Sequence, residues 1–300
     1  MQQIILIVLI LHSLAGRAQK TNMDISYTPG IESGPTVHRI QLSTGVEIEY
    51  AEQGHPSGAT VIFLHGISDS RHSFDLVLPL LPSNLRAFAL SQRGHGNSAR
   101  PENGYRPKEF AADVAAFIRQ KNLGPVIIAG HSMGGVHATR FAVDYPELCK
   151  ALVIIDSDPF FHQNEGVAEF REFVMGIDSI TNEFMTSFQS STIVKPLDEK
   201  YFNLVVEEGM KVPARVFKAA LTGMLDEDFT GQLEGLQVPV LIFWGDQDSV
   251  CLRTGQEAMT SIFPKNRLVI YENTGHALHW EQPEKFAKDL LQFIKEMVKQ

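Results

Sequence analysis

The stretch VIIAGHSMGGVHATRFA, residues 126–142, decides the fold. Its first part, Val126 to Ala129, is apolar without alternation, as a strand buried on both faces should be. From Met133 to Tyr145 the apolar residues take helical spacing. Between the two, Gly130-His131-Ser132-Met133-Gly134 leaves room only for a tight turn. A serine there projects its hydroxyl from a strained bend, and the small residues two places either side let neighbouring backbone pass. The helix behind it turns an N-terminal dipole and free N–H groups toward the same point, favouring negative charge on an attacked oxygen.

Outward from this turn the chain repeats the strand-then-helix rhythm. Strands are expected at His38 to Leu42, Val46 to Glu52, Thr60 to Leu64, Arg86 to Leu90, Leu152 to Ile155, Val240 to Trp244 and Leu268 to Tyr271. Helical spacing covers Pro107 to Lys121, Arg253 to Phe263 and Pro283 to Val298, with both prolines suited to a first turn. This predicts an α/β fold: a mostly parallel eight-stranded sheet flanked by helices. The rhythm breaks once, where residues 157–237 hold helical segments rich in Phe and Met but no convincing core strand. They are expected to form a helical cap inserted between strands 6 and 7, leaving residues 24–156 and 238–300 as the core. Phe160, Phe161, Phe173 and Met175 are candidate walls of a substrate pocket, although residues of this kind more often belong to a small core within the cap.

The chain has 300 residues, 44% of them apolar and 20% charged, which is ordinary globular composition. Its formal net charge of -9 disfavours nucleic acid and anionic membrane surfaces as partners and suits a small neutral or cationic ligand. The opening MQQIILIVLILHSLAGRAQK combines a short apolar run with small residues, as a secretory signal does, although no Lys or Arg precedes the run. Residues 1–18 are therefore expected to be a cleaved signal peptide of a secreted or periplasmic protein with no stable membrane span. A buried or interfacial N-terminal helix is the alternative. Cys149 and Cys251 should lie at opposite edges of the sheet, beyond the ~7 Å reach of a disulfide, and are expected to be free thiols.

A serine hydroxyl needs a base, and a neutral imidazole is the usual one at neutral pH. His276, after Gly275 in the loop beyond the last expected strand, is the candidate; His65 and His131 flank motifs and are expected to shape turns. The base in turn needs a carboxylate to fix its tautomer. Asp248, Asp246 and Asp156 compete for that place, and Asp156 could instead serve to turn the chain. No HExxH and no Cys/His ligand spacing occurs, so neither a metal nor a cofactor is expected.

Four motifs together resemble the α/β-hydrolase family over nearly all of the chain after the leader. They are HGI at 65–67 directly after the strand VIFL, RGHGNS at 93–98, GHSMGG at 130–135, and the late pair WGDQD and GHALHWEQP. The order Ser, Asp, His is the family's. The resemblance implies a nucleophile at Ser132, an acid at Asp248, a base at His276, and an oxyanion hole from the N–H groups of Ile67 and Met133. Ser91 departs from the pattern, since relatives commonly have aspartate there, which puts local loop packing in doubt rather than the triad. The expected function is hydrolysis of a carboxylic ester or lactone with a hydrophobic body, a bulky macrolactone among the candidates. Carbon-carbon bond hydrolases, perhydrolases, acyltransferases and non-catalytic small-ligand receptors of the same fold are the rivals.

Overall fold

The computed structural model describes residues 34–298, so the expected leader and the first residues of the expected core lie outside the described residues. Eight strands form one sheet: β1 (Thr36–Gln41), β2 (Glu47–Gln53), β3 (Ala59–Leu64), β4 (Leu85–Leu90), β5 (Val126–His131), β6 (Cys149–Ile155), β7 (Val240–Gly245) and β8 (Asn266–Tyr271). Their spatial order is β1-β2-β4-β3-β5-β6-β7-β8. Pairing is antiparallel for β1 with β2 and for β2 with β4, and parallel for every other neighbouring pair. The mostly parallel eight-stranded sheet is thus as expected, and each strand boundary falls within a few residues of its expected place. The central strands β5 and β7 are buried along their whole length, which is why their sequences lack alternation.

Helices α1 (Pro107–Gln120) and α2 (Met133–Asp144) cover one face of the sheet, over a core that includes Phe88, Phe110, Phe117 and Phe141. On the opposite face, Phe63, Phe74 and Phe243 pack with Phe286, Leu290, Phe293 and Ile294. Pro107 begins α1, where a missing N–H leaves no bond unmade.

Between β6 and β7 the chain forms four helices, α3 (Glu165–Met175), α4 (Asn182–Ser191), α5 (Glu199–Met210) and α6 (Ala214–Asp226). After β7 come α7 (Arg253–Ile262), the short α8 (Leu278–Glu281) after β8, and α9 (Pro283–Val298). Pro283 opens α9, which buries Phe286, Leu290, Phe293 and Ile294, with Met297 half-buried on the same core. Among the described residues no helix is long and apolar enough to cross a membrane.

The cap helices hold an aromatic cluster of their own. Phe170, Phe184 and Phe188 surround the buried Phe217 with ring centroids 5.9–6.3 Å from it, and Phe170 and Phe188 stack at 5.6 Å. Phe161 is buried and Phe160 half-buried on the main core. Phe173 and Met175, expected as pocket walls, lie instead on the cap surface, 48% and 51% exposed. Both fall on the outer side of α3, whose buried side chains are Val167 and Val174. Met175 borders a surface cleft together with Glu102, Arg215, Lys218 and Asp226.

Cys149 and Cys251 are both free and buried. Cys149 begins β6, whereas Cys251 follows the far end of β7, so strand direction separates them.

Candidate active site

The turn between β5 and α2 carries Ser132 at φ 52°, ψ −122°, outside the regions open to unstrained L-residues. The packing shows why the surrounding positions are glycine. A Cβ on Gly130 would sit 2.0 Å from the Gly134 carbonyl oxygen, and one on Gly134 would sit 2.4 Å from that of Leu64. Ser132 N–H donates to the Ile155 carbonyl at 3.0 Å, and the Ser132 carbonyl accepts from Ser157 Oγ at 2.6 Å. The bend is therefore pinned to the end of β6 from both sides.

Three of the expected side chains meet. His276 Nε2 lies 2.9 Å from Ser132 Oγ, and His276 Nδ1 lies 2.8 Å from Asp248 Oδ2. Asp248 is buried, and its other oxygen accepts the N–H groups of Val250 at 2.7 Å and Cys251 at 3.0 Å. That leaves Oδ2 directed at the imidazole. With Nδ1 donating to the carboxylate, Nε2 carries a lone pair toward the serine hydroxyl. His131 Nε2 donates to the His276 backbone carbonyl at 2.9 Å, so the histidine before the serine holds the loop of the second histidine.

Asp156 takes a different part. It directly follows β6 at φ 41° and is fully buried, with Oδ1 accepting from Gly245 N–H at 2.8 Å and Oδ2 from Leu278 N–H at 3.2 Å. Burial, and then the charge of Asp248, push its carboxyl well above the ordinary range. Asp156 ties the loop after β7 to α8 and makes no hydrogen bond to His276. Asp246 contacts Thr274 N–H and Gln247, and likewise does not reach the imidazole.

Met133 directly follows the serine as the first residue of α2, and Ile67 lies in the loop after β3. Among the described residues neither N–H has a hydrogen-bond acceptor, while Gly135 and Val136 N–H groups are taken by the Ser132 carbonyl. The loop bearing Ile67 is braced from below. His65 Nε2 accepts from Gln92 N–H at 3.0 Å, and His95 Nε2 donates to the Ile67 carbonyl at 2.8 Å. Burial, with the neighbouring His95, pushes the His65 imidazole down to about 3, which keeps Nε2 unprotonated and able to accept. Ser91, at the position that departs from the family pattern, is buried and bonded: its Oγ accepts from Arg71 N–H and its carbonyl from Ser98 Oγ.

Sequence reading missed a buried polar layer beside this loop. Asp69 is buried two residues after Ile67 and accepts hydrogen bonds from Ser73 Oγ and from the amide of Gln189, a cap residue. The available signal was the α4 stripe itself, in which Gln189 stands four residues after the buried Met185 on the inward face. His279 bonds Ser73 Oγ at 3.0 Å and Trp280 Nε1 donates to the Ser73 carbonyl at 2.8 Å, so α8 closes the same layer.

This fold and this arrangement are those of a hydrolase, and the chain belongs to the α/β-hydrolase fold family, whose model matches residues 59–283. It is 27% identical over 272 residues to a non-heme haloperoxidase of Rhodococcus erythropolis, covering 85% of this chain and 98% of that one. It is 26% identical to a bifunctional esterase/perhydrolase of Acinetobacter calcoaceticus, over 85% of this chain and 99% of the relative. Among solved structures, an esterase from Exiguobacterium antarcticum superposes with a TM-score of 0.78 at 24% identity, covering 86% of this chain and 98% of that one.

Proposed function

We propose that the protein cleaves a carboxylic ester or lactone with a hydrophobic body through an acyl-enzyme on Ser132. The observation that carries this reading is the continuous chain from Asp248 Oδ2 through His276 to Ser132 Oγ, with contacts of 2.8 and 2.9 Å. Ser132 Oγ attacks the carbonyl carbon while His276 Nε2 takes its proton, and Asp248 stabilises the resulting imidazolium. The oxyanion accepts from the N–H groups of Ile67 and Met133, each contributing on the order of 3 kcal/mol to the barrier. His276 then passes its proton to the departing alkoxide. Water attacks the acyl carbon with His276 again as base, and collapse of the second intermediate frees Ser132 and the carboxylic acid. The aromatic cap supports an apolar acyl or alcohol portion.

An organophosphonate tests the nucleophile directly. Labelling with one equivalent, at Ser132 by peptide mass, is the expected result, and an unlabelled wild-type protein would sink the proposal. A panel of p-nitrophenyl esters, simple lactones and macrolactones then measures the pocket through its chain-length preference.

One observation favours a second reading, the likeness to the relative named an esterase/perhydrolase. Hydrogen peroxide would then replace water as attacker of the acyl-enzyme, and the product would be a peracid. Added peroxide that diverts an ester from acid to peracid would establish it, whereas unchanged acid yield would reject it.

A further inference from the structure

The cap meets both catalytic loops through one short segment at the end of α4. Gln189 is only 1% exposed. Its amide nitrogen donates to Ser68 Oγ at 3.0 Å and to Asp69 Oδ1 at 3.1 Å, so both of its hydrogens are committed to the two residues that follow Ile67. Three residues on, the Thr192 carbonyl accepts from Ala277 N–H at 3.0 Å, directly after His276. The approach is close: a Cβ on Gly275 would lie 2.8 Å from that carbonyl. Glu281 completes the junction by accepting from Gly275, Val194 and Lys195 N–H groups at 2.8, 3.1 and 2.9 Å. Residues 189–195 thus bridge the loop of an expected oxyanion donor and the loop of the expected base.

We infer that Gln189 is a positioning residue: from the cap, it holds the Ile67 N–H in the direction the oxyanion requires. A carboxylate buried two residues from an oxyanion donor is unfavourable for the developing negative charge unless its own charge is drawn elsewhere. Here the Gln189 amide and the hydroxyls of Ser68 and Ser73 donate to Asp69, with His131 Nδ1 3.7 Å from its Oδ2, and together they supply that counterweight. Removing the amide frees the loop to shift, and displacements of about 1 Å in a catalytic group lower rates by up to ~10²-fold. The inference rests on the acyl-enzyme reading of Ser132.

The test replaces Gln189 by Met, which keeps the volume and removes both donors. Turnover is counted per site titrated by an organophosphonate, so misfolded protein does not enter the rate. We expect kcat per titrated site to fall ~10- to 100-fold while KM stays within about twofold, because the lost contact acts on the transition state. Affinity for a trifluoromethyl ketone that mimics the tetrahedral intermediate should fall by the same factor. Retention of kcat within twofold, or a change confined to KM, overturns the inference. Should Gln189→Met yield no titratable sites, Asp69→Asn and Gln189→Asn are measured singly and together: non-additive losses in kcat support the strap, and additive ones reject it. A wild-type protein that fails to titrate would instead remove the Ser132 reading on which the inference stands.

Discussion

Asp156 and Asp248 follow neighbouring strands of the sheet, yet only Asp248 reaches His276. Its Oδ2 lies 2.8 Å from Nδ1, whereas both oxygens of Asp156 are taken by the backbone N–H groups of Gly245 and Leu278. Burial, and then the charge of Asp248, raise the Asp156 carboxyl above the ordinary range. This division of labour makes the two residues separable by mutation. Asp248→Asn should reduce kcat on an activated ester by about 10³- to 10⁴-fold, since the amide favours the wrong imidazole tautomer. Asp156→Asn should keep kcat within about tenfold while lowering stability by ~1–2 kcal/mol, because one N–H loses its acceptor. Parallel kcat and urea-unfolding measurements check both; the reverse pattern would move the acid to Asp156.

Ser132→Ala removes the attacking oxygen without filling space. Turnover should drop by at least ~10⁴-fold, with the thermal midpoint close to wild type and organophosphonate labelling abolished. Residual hydrolysis near wild-type rate would mean that another group attacks.

Two glycines on either side of β5 predict a sharp contrast. Gly134→Ala drives a methyl group to 2.4 Å from the Leu64 carbonyl and should destabilise the fold by about 1–3 kcal/mol or more, disturbing the Ser132 bend with it. A methyl group on Gly124 would enter open space, with nothing within 4 Å. Gly124→Ala should be neutral or stabilising by up to ~1 kcal/mol. Chemical denaturation of the two variants distinguishes steric demand from simple chain entropy.

Asp158 makes a prediction about pH. Burial pushes its carboxyl up to about 6, against an ordinary value of 3.8, while Phe160 N–H donates to Oδ1 at 2.8 Å. The folded state therefore holds this proton over a range where the unfolded chain has lost it. Stability from this group is complete below pH ~4, declines as pH rises toward 6, and is level above, a loss of at most about 3 kcal/mol. Asp158→Asn retains the acceptor for Phe160 N–H and cannot ionise, so its unfolding free energy should be flatter from pH 4 to 6 than that of wild type. Equal slopes would exclude Asp158 as the source.

How much was legible beforehand follows from how local each signal is. The strand-turn-helix around Ser132 was readable because every element of it lies within seventeen consecutive residues: unbroken apolar β-branched side chains, glycines where backbone crowds, and then helical spacing. The eight strands followed from the same short-range pattern, and His276 from its place after the last of them. The choice of Asp248 over Asp156 depended on which oxygens the backbone of Gly245, Leu278, Val250 and Cys251 would occupy, and those partners come together only when β6, β7 and α8 are assembled. Phe173 and Met175 carried the right composition for a pocket wall, but composition does not say which side of α3 faces inward. Helical spacing could place Gln189 on the inward face of α4, but not its partners Ser68 and Asp69, some 120 positions away. Periodicity and turn chemistry are properties of neighbours along the chain; the pairing of buried polar groups is a property of neighbours in space, and it was the folded arrangement alone that determined it.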